Sequence, residues 1–158
     1  MGHSSLFTLD GAVEFATTAR KKGKTVVTTN GVFDLLSLPH VRLLEHARAQ
    51  GDVLIVGVNS DSSVRTLKGE GRPIIPAAER ATIVASLRCV DTVFVFDDLD
   101  PRSWLPLIRP NVHVNSSEYG DSCVESDILR EIGARLELVP RMTGATSTSD
   151  AIAKIKQS

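Results

Sequence analysis

The segment Val53-Leu-Ile-Val-Gly-Val58 carries no polar side chain. A strand with one wet face alternates apolar and polar residues, whereas a strand apolar throughout is covered on both faces. Covering both faces within one chain calls for parallel strands joined by crossover helices. The rest of the chain has that rhythm. Thr25-Val-Val-Thr-Thr29 is short and β-branched and reads as the preceding strand. Thr92–Phe96, Asn111–Asn115 and Arg135–Val139 read as three more. Helical spacing fills the gaps: Asp10–Lys22 closed by Gly23, Pro39–Gln50 closed by Gly51, a turn at Ser62–Leu67, and Pro76–Arg88 with Ile83, Val84 and Leu87 inward. Pro101–Ile108, Val124–Ile132 closed by Gly133, and Ser149–Lys156 complete the set.

The expected fold is therefore α/β: a single-domain, Rossmann-like, doubly wound parallel sheet of about five strands with helices on both faces. The length of 158 residues suits one core. Residues 1–9 read as a loose or tag-like N-terminus and 10–158 as the domain. In such sheets ligands bind beyond the carboxyl ends of the strands, at the switch point.

A formal net charge of -1 gives no electrostatic reason for a nucleic acid or an anionic membrane as partner. No stretch approaches the ~20 apolar residues of a membrane helix, and no signal peptide opens the chain. Cys89 and Cys123 form neither a CxxC nor a metal-ligand pair, which is the usage of a reducing compartment, here the cytoplasm.

Four segments carry the chemistry. Thr28-Thr-Asn-Gly-Val-Phe-Asp-Leu-Leu-Ser-Leu-Pro-His40 runs from the first strand into a helix. Gly31 admits a ligand close to the backbone. His40 falls in the first helical turn, where it either caps the helix or joins free N–H groups around an anion. Val58-Asn-Ser-Asp61 ends the second strand with polar groups suited to a cap or to hydroxyls. Lys68-Gly-Glu-Gly-Arg-Pro73 flanks glycines with two cations, a phosphate loop or a solvated one. It is neither a dinucleotide fingerprint nor a Walker loop. Arg141-Met-Thr-Gly-Ala-Thr-Ser-Thr148 opens the last helix with hydroxyls, either a second anion site or a Ser/Thr capping segment.

With these segments in view, the chain resembles the cytidylyltransferase-like nucleotidyltransferases over nearly its whole length. Asn30-Gly-Val-Phe-Asp-Leu-Leu36 is similar to TNGxFDxLH, and Val58-Asn-Ser-Asp61 with Leu67-Lys-Gly-Glu-Gly-Arg-Pro73 is similar to VNSDxS…LKGxxRP. Glu79-Arg80 matches the acidic-Arg pair of the next helix. These features point to the heptose 1-phosphate adenylyltransferase branch. Arg141-Met-Thr-Gly-Ala-Thr-Ser-Thr148 is similar to the RTxGxST signature of polyol-phosphate cytidylyltransferases. Where the family has HxGH, this chain reads Ser37-Leu-Pro-His40. Where it has VKGGDY, this chain reads Val114-Asn-Ser-Ser-Glu-Tyr119.

The resemblance implies transfer of a nucleoside monophosphate from an NTP, ATP favoured, to heptose 1-phosphate, giving ADP-heptose and pyrophosphate. The alternatives are a cytidylyltransferase for glycerol 3-phosphate or another polyol phosphate, and a non-catalytic nucleotide binder. It further implies roles for named residues. His40 and Ser37 face the α- and β-phosphates, and Arg80 the β- and γ-phosphates. Thr29, Asn30, Gly31 and Phe33 form a cradle, and Arg141, Thr146, Ser147 and Thr148 hold phosphate. Asp61, Lys68 and Asn115 face the acceptor or the base. Mg²⁺ is expected through the NTP phosphates rather than in a protein metal site, and a homodimer is expected. His46 and His113 are expected to be structural.

Overall fold

The computed structural model describes residues 8–116 and 123–158. The strands are β1 (Val26–Gly31), β2 (Val53–Asn59), β3 (Thr92–Phe96), β4 (Val112–Ser116) and β5 (Arg135–Val139). The helices are α1 (Leu9–Lys21), α2 (Leu38–Arg48), α3 (Asp61–Lys68), α4 (Ala77–Ala85), α5 (Leu105–Ile108), α6 (Ser126–Ile132) and α7 (Thr148–Lys156). All strand pairs are parallel, in the order β3-β2-β1-β4-β5. The chain builds outward from β1 to β3, then returns to place β4 on the other side of β1. The switch point therefore lies between β1 and β4.

The apolar run of β2 is buried throughout, as expected. Val53 and Ile55 join Ala12, Ala16, Ala19, Trp104, Ile108 and Leu129 in the layer of α1, α5 and α6. Leu54, Val56 and Val58 join Leu44, Ala47, Ala81 and Val84 in the layer of α2 and α4. Gly57 interrupts the run because a Cβ there would lie 3.1 Å from the Phe94 and Phe96 rings. Those rings pack against Trp104, the Phe94–Trp104 pair edge-on with centroids 5.0 Å apart.

Several boundaries differ from expectation. Thr8 caps α1, its hydroxyl accepting from Gly11 N–H at 3.2 Å, so helix begins inside the segment read as a loose N-terminus. Residues 1–7 of that segment lie outside the described residues. β1 continues to Gly31, which pairs in register with Val58. α4 ends at Ala85, and Ile83 is 41% exposed rather than inward. Arg80, Ala81 and Val84 form its buried side instead. Trp104 and Leu105 are core residues, while Leu107 is 54% exposed.

Candidate active site at the switch between β1 and β4

β1 ends in the half-buried Asn30 and Gly31. A Cβ at Gly31 would meet the Phe33 ring at 3.0 Å, so glycine lets that ring fold back over the strand end. Phe33 itself has φ +49°, a left-handed conformation uncommon for a bulky residue and maintained only by surrounding packing. Its ring is buried and lies 5.5 Å from the His40 imidazole. The Phe33 side chain thus belongs to the core and supports His40, rather than lining the cradle. Thr29 is also corrected: it is fully buried, and its hydroxyl donates to Val114 C=O at 2.8 Å across to β4.

Asp34 was not singled out from sequence, yet it organises the neighbouring loop. Its buried carboxylate accepts from Ile74 N–H at 2.9 Å, Ile75 N–H at 2.9 Å and Arg72 Nε at 2.6 Å. Burial alone raises its pKa; the backbone donors and Arg72 outweigh burial, and the net shift is downward. Arg72 is therefore committed to Asp34. Lys68 is exposed at the end of α3.

Ser37 is the N-cap of α2 and Pro39 stands in its first turn. Pro39 needs no partner for an N–H there, and it also withholds a donor from any anion. His40 reaches back over the cap. Ser37 N–H donates to His40 Nδ1 at 3.1 Å, with Ser37 Oγ at 3.1 Å from the same nitrogen. A backbone N–H can only donate, so Nδ1 carries the lone pair and the neutral ring bears its proton on Nε2. That tautomer is assigned from the hydrogen-bond network. Burial lowers the His40 pKa and keeps the ring neutral. The two sequence readings of His40 are thus compatible: Nδ1 caps, and Nε2–H remains to donate.

Arg80 requires a correction. It is fully buried. Nε donates to Ile75 C=O at 2.8 Å, and Nη1 donates to Val32 C=O at 2.7 Å and Asn59 C=O at 2.8 Å. Nη2 donates to Asp61 Oδ1 at 2.8 Å, which also accepts from Ala77 N–H at 2.9 Å. The guanidinium therefore ties together the ends of β1, β2 and the loop before α4, and is not offered to phosphates. Asp61 correspondingly caps this tie with one oxygen.

The α7 turn meets the same edge. Thr148 Oγ1 donates to Leu35 C=O at 2.7 Å, seating the α7 N-terminus beside that of α2. The two segments read from sequence as candidate anion sites thus lie side by side. Of the two readings of this segment, the capping one is what the structure shows at Ser147. Ser147 N–H and Oγ donate to Asp150 Oδ2 at 2.9 and 2.7 Å, and Ser147 Oγ accepts from Asp150 N–H at 3.2 Å. Hydrogen bonds from Ser147 lower the Asp150 pKa. Ser147 and Thr148 hydroxyls are therefore engaged within the protein, while Thr146 and Arg141 are exposed at the turn. Sequence reasoning weighed a Ser/Thr cap here but not its Asp150 partner, which the Ser-x-x-Asp spacing signals.

At the end of β4, Asn115 Nδ2 donates to Glu125 Oε1, and Asn115 Oδ1 accepts from Ser116 N–H at 2.8 Å. The remainder of the segment similar to VKGGDY, residues 117–119, lies outside the described residues. His113 is structural as expected: it is fully buried, and Nδ1 lies 2.8 Å from Thr28 Oγ1. Burial pushes its pKa down to about 3. His46 Nε2 pairs with Glu137 at 3.0 Å on the surface. Among the described residues no helix is long and apolar enough to cross a membrane.

A profile of the cytidylyltransferase-like family matches residues 28–151, from the buried Thr28 of β1 into α7. The chain belongs to that family. The bifunctional protein HldE of Geobacter metallireducens is 44% identical over 142 residues, covering 89% of this chain and 29% of that protein. The HldE of Geobacter sulfurreducens is 43% identical over 155 residues, covering 98% and 31%. The chain thus spans less than a third of the length of these relatives. Among solved structures, the lipopolysaccharide core biosynthesis protein of Thermoplasma volcanium superposes with a TM-score of 0.61 at 26% identity, covering 76% of this chain and 98% of that one. The pantoate-beta-alanine ligase of Francisella tularensis shares the fold, with a TM-score of 0.66 at 13% identity over 92% of this chain and 71% of that one. The family and fold expected from sequence are those found.

Proposed function

We propose that this chain transfers AMP from ATP to heptose 1-phosphate, releasing pyrophosphate and forming ADP-heptose. The observation that carries the reading is His40: a neutral imidazole with Nε2–H directed away from the cap, at a helix N-terminus beside the switch point. Family membership and the alignment with HldE proteins over nearly the whole chain support it.

In this reading an oxygen of the acceptor phosphate attacks the α-phosphorus, and the bond to the β-phosphate oxygen breaks in line. The protein forms no covalent bond, so positioning and electrostatics carry the rate. His40 Nε2–H and the α2 dipole stabilise charge developing on the phosphates. Ser37 holds the imidazole in its donating tautomer. Asn30 and Gly31 form the floor under the nucleotide, with Arg141 and Thr146 over the distal phosphates. Lys68 and the free oxygen of Asp61 face the acceptor. The residues suit a metal delivered by the nucleotide: Asp34 has both oxygens engaged, and among the described residues no three acidic, His or Cys side chains gather. Mg²⁺ brought in with the nucleotide would supply charge neutralisation at the leaving pyrophosphate. The protein acts in the cytoplasm, as a homodimer.

The test is pyrophosphate release with ATP, CTP, GTP and UTP, each against heptose 1-phosphate and glycerol 3-phosphate. The reading predicts release with ATP and heptose 1-phosphate. Release only with CTP and glycerol 3-phosphate would transfer the assignment to a polyol phosphate. Nucleotide binding without any release would make the chain a non-catalytic binder.

A further inference from the structure

Arg72 lies in the segment Lys68–Pro73, which the sequence leaves open as a phosphate loop or a solvated one. Its side chain is only 15% exposed. Its tie to Asp34 runs through Nε alone, which donates to Asp34 Oδ2 at 2.6 Å. Among the described residues Nη1 and Nη2 have no acceptor. A guanidinium donates from every nitrogen, and donors on a largely buried cation call for partners.

Two other arginines show what full engagement looks like. Arg80 uses Nε, Nη1 and Nη2, on the carbonyls of Ile75, Val32 and Asn59 and on Asp61. Arg102 closes on both oxygens of Asp100 through Nε and Nη2. Arg72 does not close on Asp34 in that way, because Asp34 Oδ1 accepts from Ile74 and Ile75 N–H. Asp34 is itself buried and held by that backbone, so it fixes the guanidinium by one corner. The opposite edge, Nη1 with Nη2, is a planar pair of donors of the spacing that a pair of phosphate oxygens accepts.

Placement gives this edge a side of the reaction. Asp34 belongs to the loop between β1 and α2, which carries Phe33 and leads to Ser37 and His40. Arg72 reaches it from the β2 side, on the loop that Arg80 ties to Val32 and Asn59 and that Asp61 caps at Ala77. The N-termini of α2 and α7 meet across the same loop at Leu35. In-line transfer puts the attacking oxygen and the leaving pyrophosphate on opposite sides of the α-phosphorus. With the nucleotide phosphates at the helix N-termini, the β2 side receives the acceptor.

We propose that Arg72 binds the phosphate of the acceptor through Nη1 and Nη2, with Asp34 as the residue that positions it. This rests on the nucleotidyl-transfer reading above. The ligand class is a phosphate monoester, gripped by a charged fork rather than by a single point charge.

The experiment follows the Arg72 guanidinium resonances by ¹⁵N NMR while heptose 1-phosphate, inorganic phosphate, and ATP with Mg²⁺ are added separately to the full chain. Kd values are measured for the native protein, Arg72→Ala and Arg72→Lys, with thermal unfolding as the check on fold. Heptose 1-phosphate and inorganic phosphate should both move the native Arg72 signals. Arg72→Ala should raise the Kd for heptose 1-phosphate about ten- to a hundredfold and leave that for ATP within about twofold. Arg72→Lys keeps a cation beside Asp34, and with it the fold, but replaces the fork by one ammonium; its loss should approach that of Arg72→Ala. Native affinity for heptose 1-phosphate in Arg72→Lys would reduce Arg72 to a pin for the Asp34 loop and overturn the proposal. Equal losses for ATP would move Arg72 to the nucleotide phosphates and overturn it as well. If heptose 1-phosphate does not bind the native chain but inorganic phosphate still moves Arg72, the heptose reading fails and the phosphate site stands. If neither ligand moves Arg72, the site itself is refuted.

Discussion

The N-termini of α2 and α7 use one device to opposite ends. Each has a serine N-cap, Ser37 or Ser147, and each has a side chain three residues on that accepts from the cap N–H. In α2 that side chain is an imidazole; in α7 it is a carboxylate. His40 accepts with one nitrogen and keeps a donor on the other. Asp150 accepts with oxygen and brings negative charge to the positive end of its helix. On the proposed reading, the first arrangement offers a donor to an anion, and the second sets a carboxylate where an anion would lie. A helix N-terminus is thus not an anion site until its third residue is known.

The contrast can be broken at either end. The largest effect is expected at His40: His40→Ala should lower kcat by about 10²–10³, with a small change in Tm. Loss of fold or unchanged turnover would both contradict its role as donor. Arg80 tests the frame shared by both turns. Arg80→Leu strands three carbonyls and Asp61, and should destabilise the protein by about 3–5 kcal/mol in denaturant titrations. If Arg80 contacted phosphates instead, the loss would appear in the KM for ATP with stability retained.

Acid sharpens the core side of the picture. His113 is neutral in the fold with a pKa of about 3, and an unfolded histidine titrates near 6.5. Between those values the unfolded state binds the extra proton, so stability is full above about pH 6.5. It falls as pH drops toward 3, by at most about 1.4 kcal/mol per pH unit from this group. His113→Asn should flatten that part of the stability profile. The smallest effect is expected at Asp150. Asp150→Asn removes a charge from the α7 turn while keeping an acceptor, and should lower the KM for ATP by roughly two- to fivefold. A rise in KM would mean that Asp150 serves the ligand rather than excluding it.

The fold was legible because its signals are local. The apolar run of β2, the Pro and Gly boundaries and the β-branched segments each mark an element without reference to distant residues. The position of the site was legible too, since the sheet's connectivity sends Asn30, Ser37 and Thr148 to one edge. Individual roles were less so. Arg80 and Thr29 were carried over as ligand contacts by the family resemblance, and a matched residue type does not tell a buried side chain from an exposed one. Only the packing of α4 against β2 takes Arg80 out of solvent. Asp34 and Glu125 have partners 40 and 10 residues away, and no periodicity announces such pairs. Asp150 was recoverable from the Ser-x-x-Asp spacing alone.

The most direct test is the protonation pattern of His40, read from long-range ¹⁵N–¹H NMR correlations with and without ATP and Mg²⁺. The account predicts a neutral ring protonated on Nε2 at pH 7, whose Nε2–H resonance moves on nucleotide binding while Nδ1 stays hydrogen-bonded to the cap. A proton on Nδ1, or an Nε2–H that ignores saturating nucleotide, would contradict it.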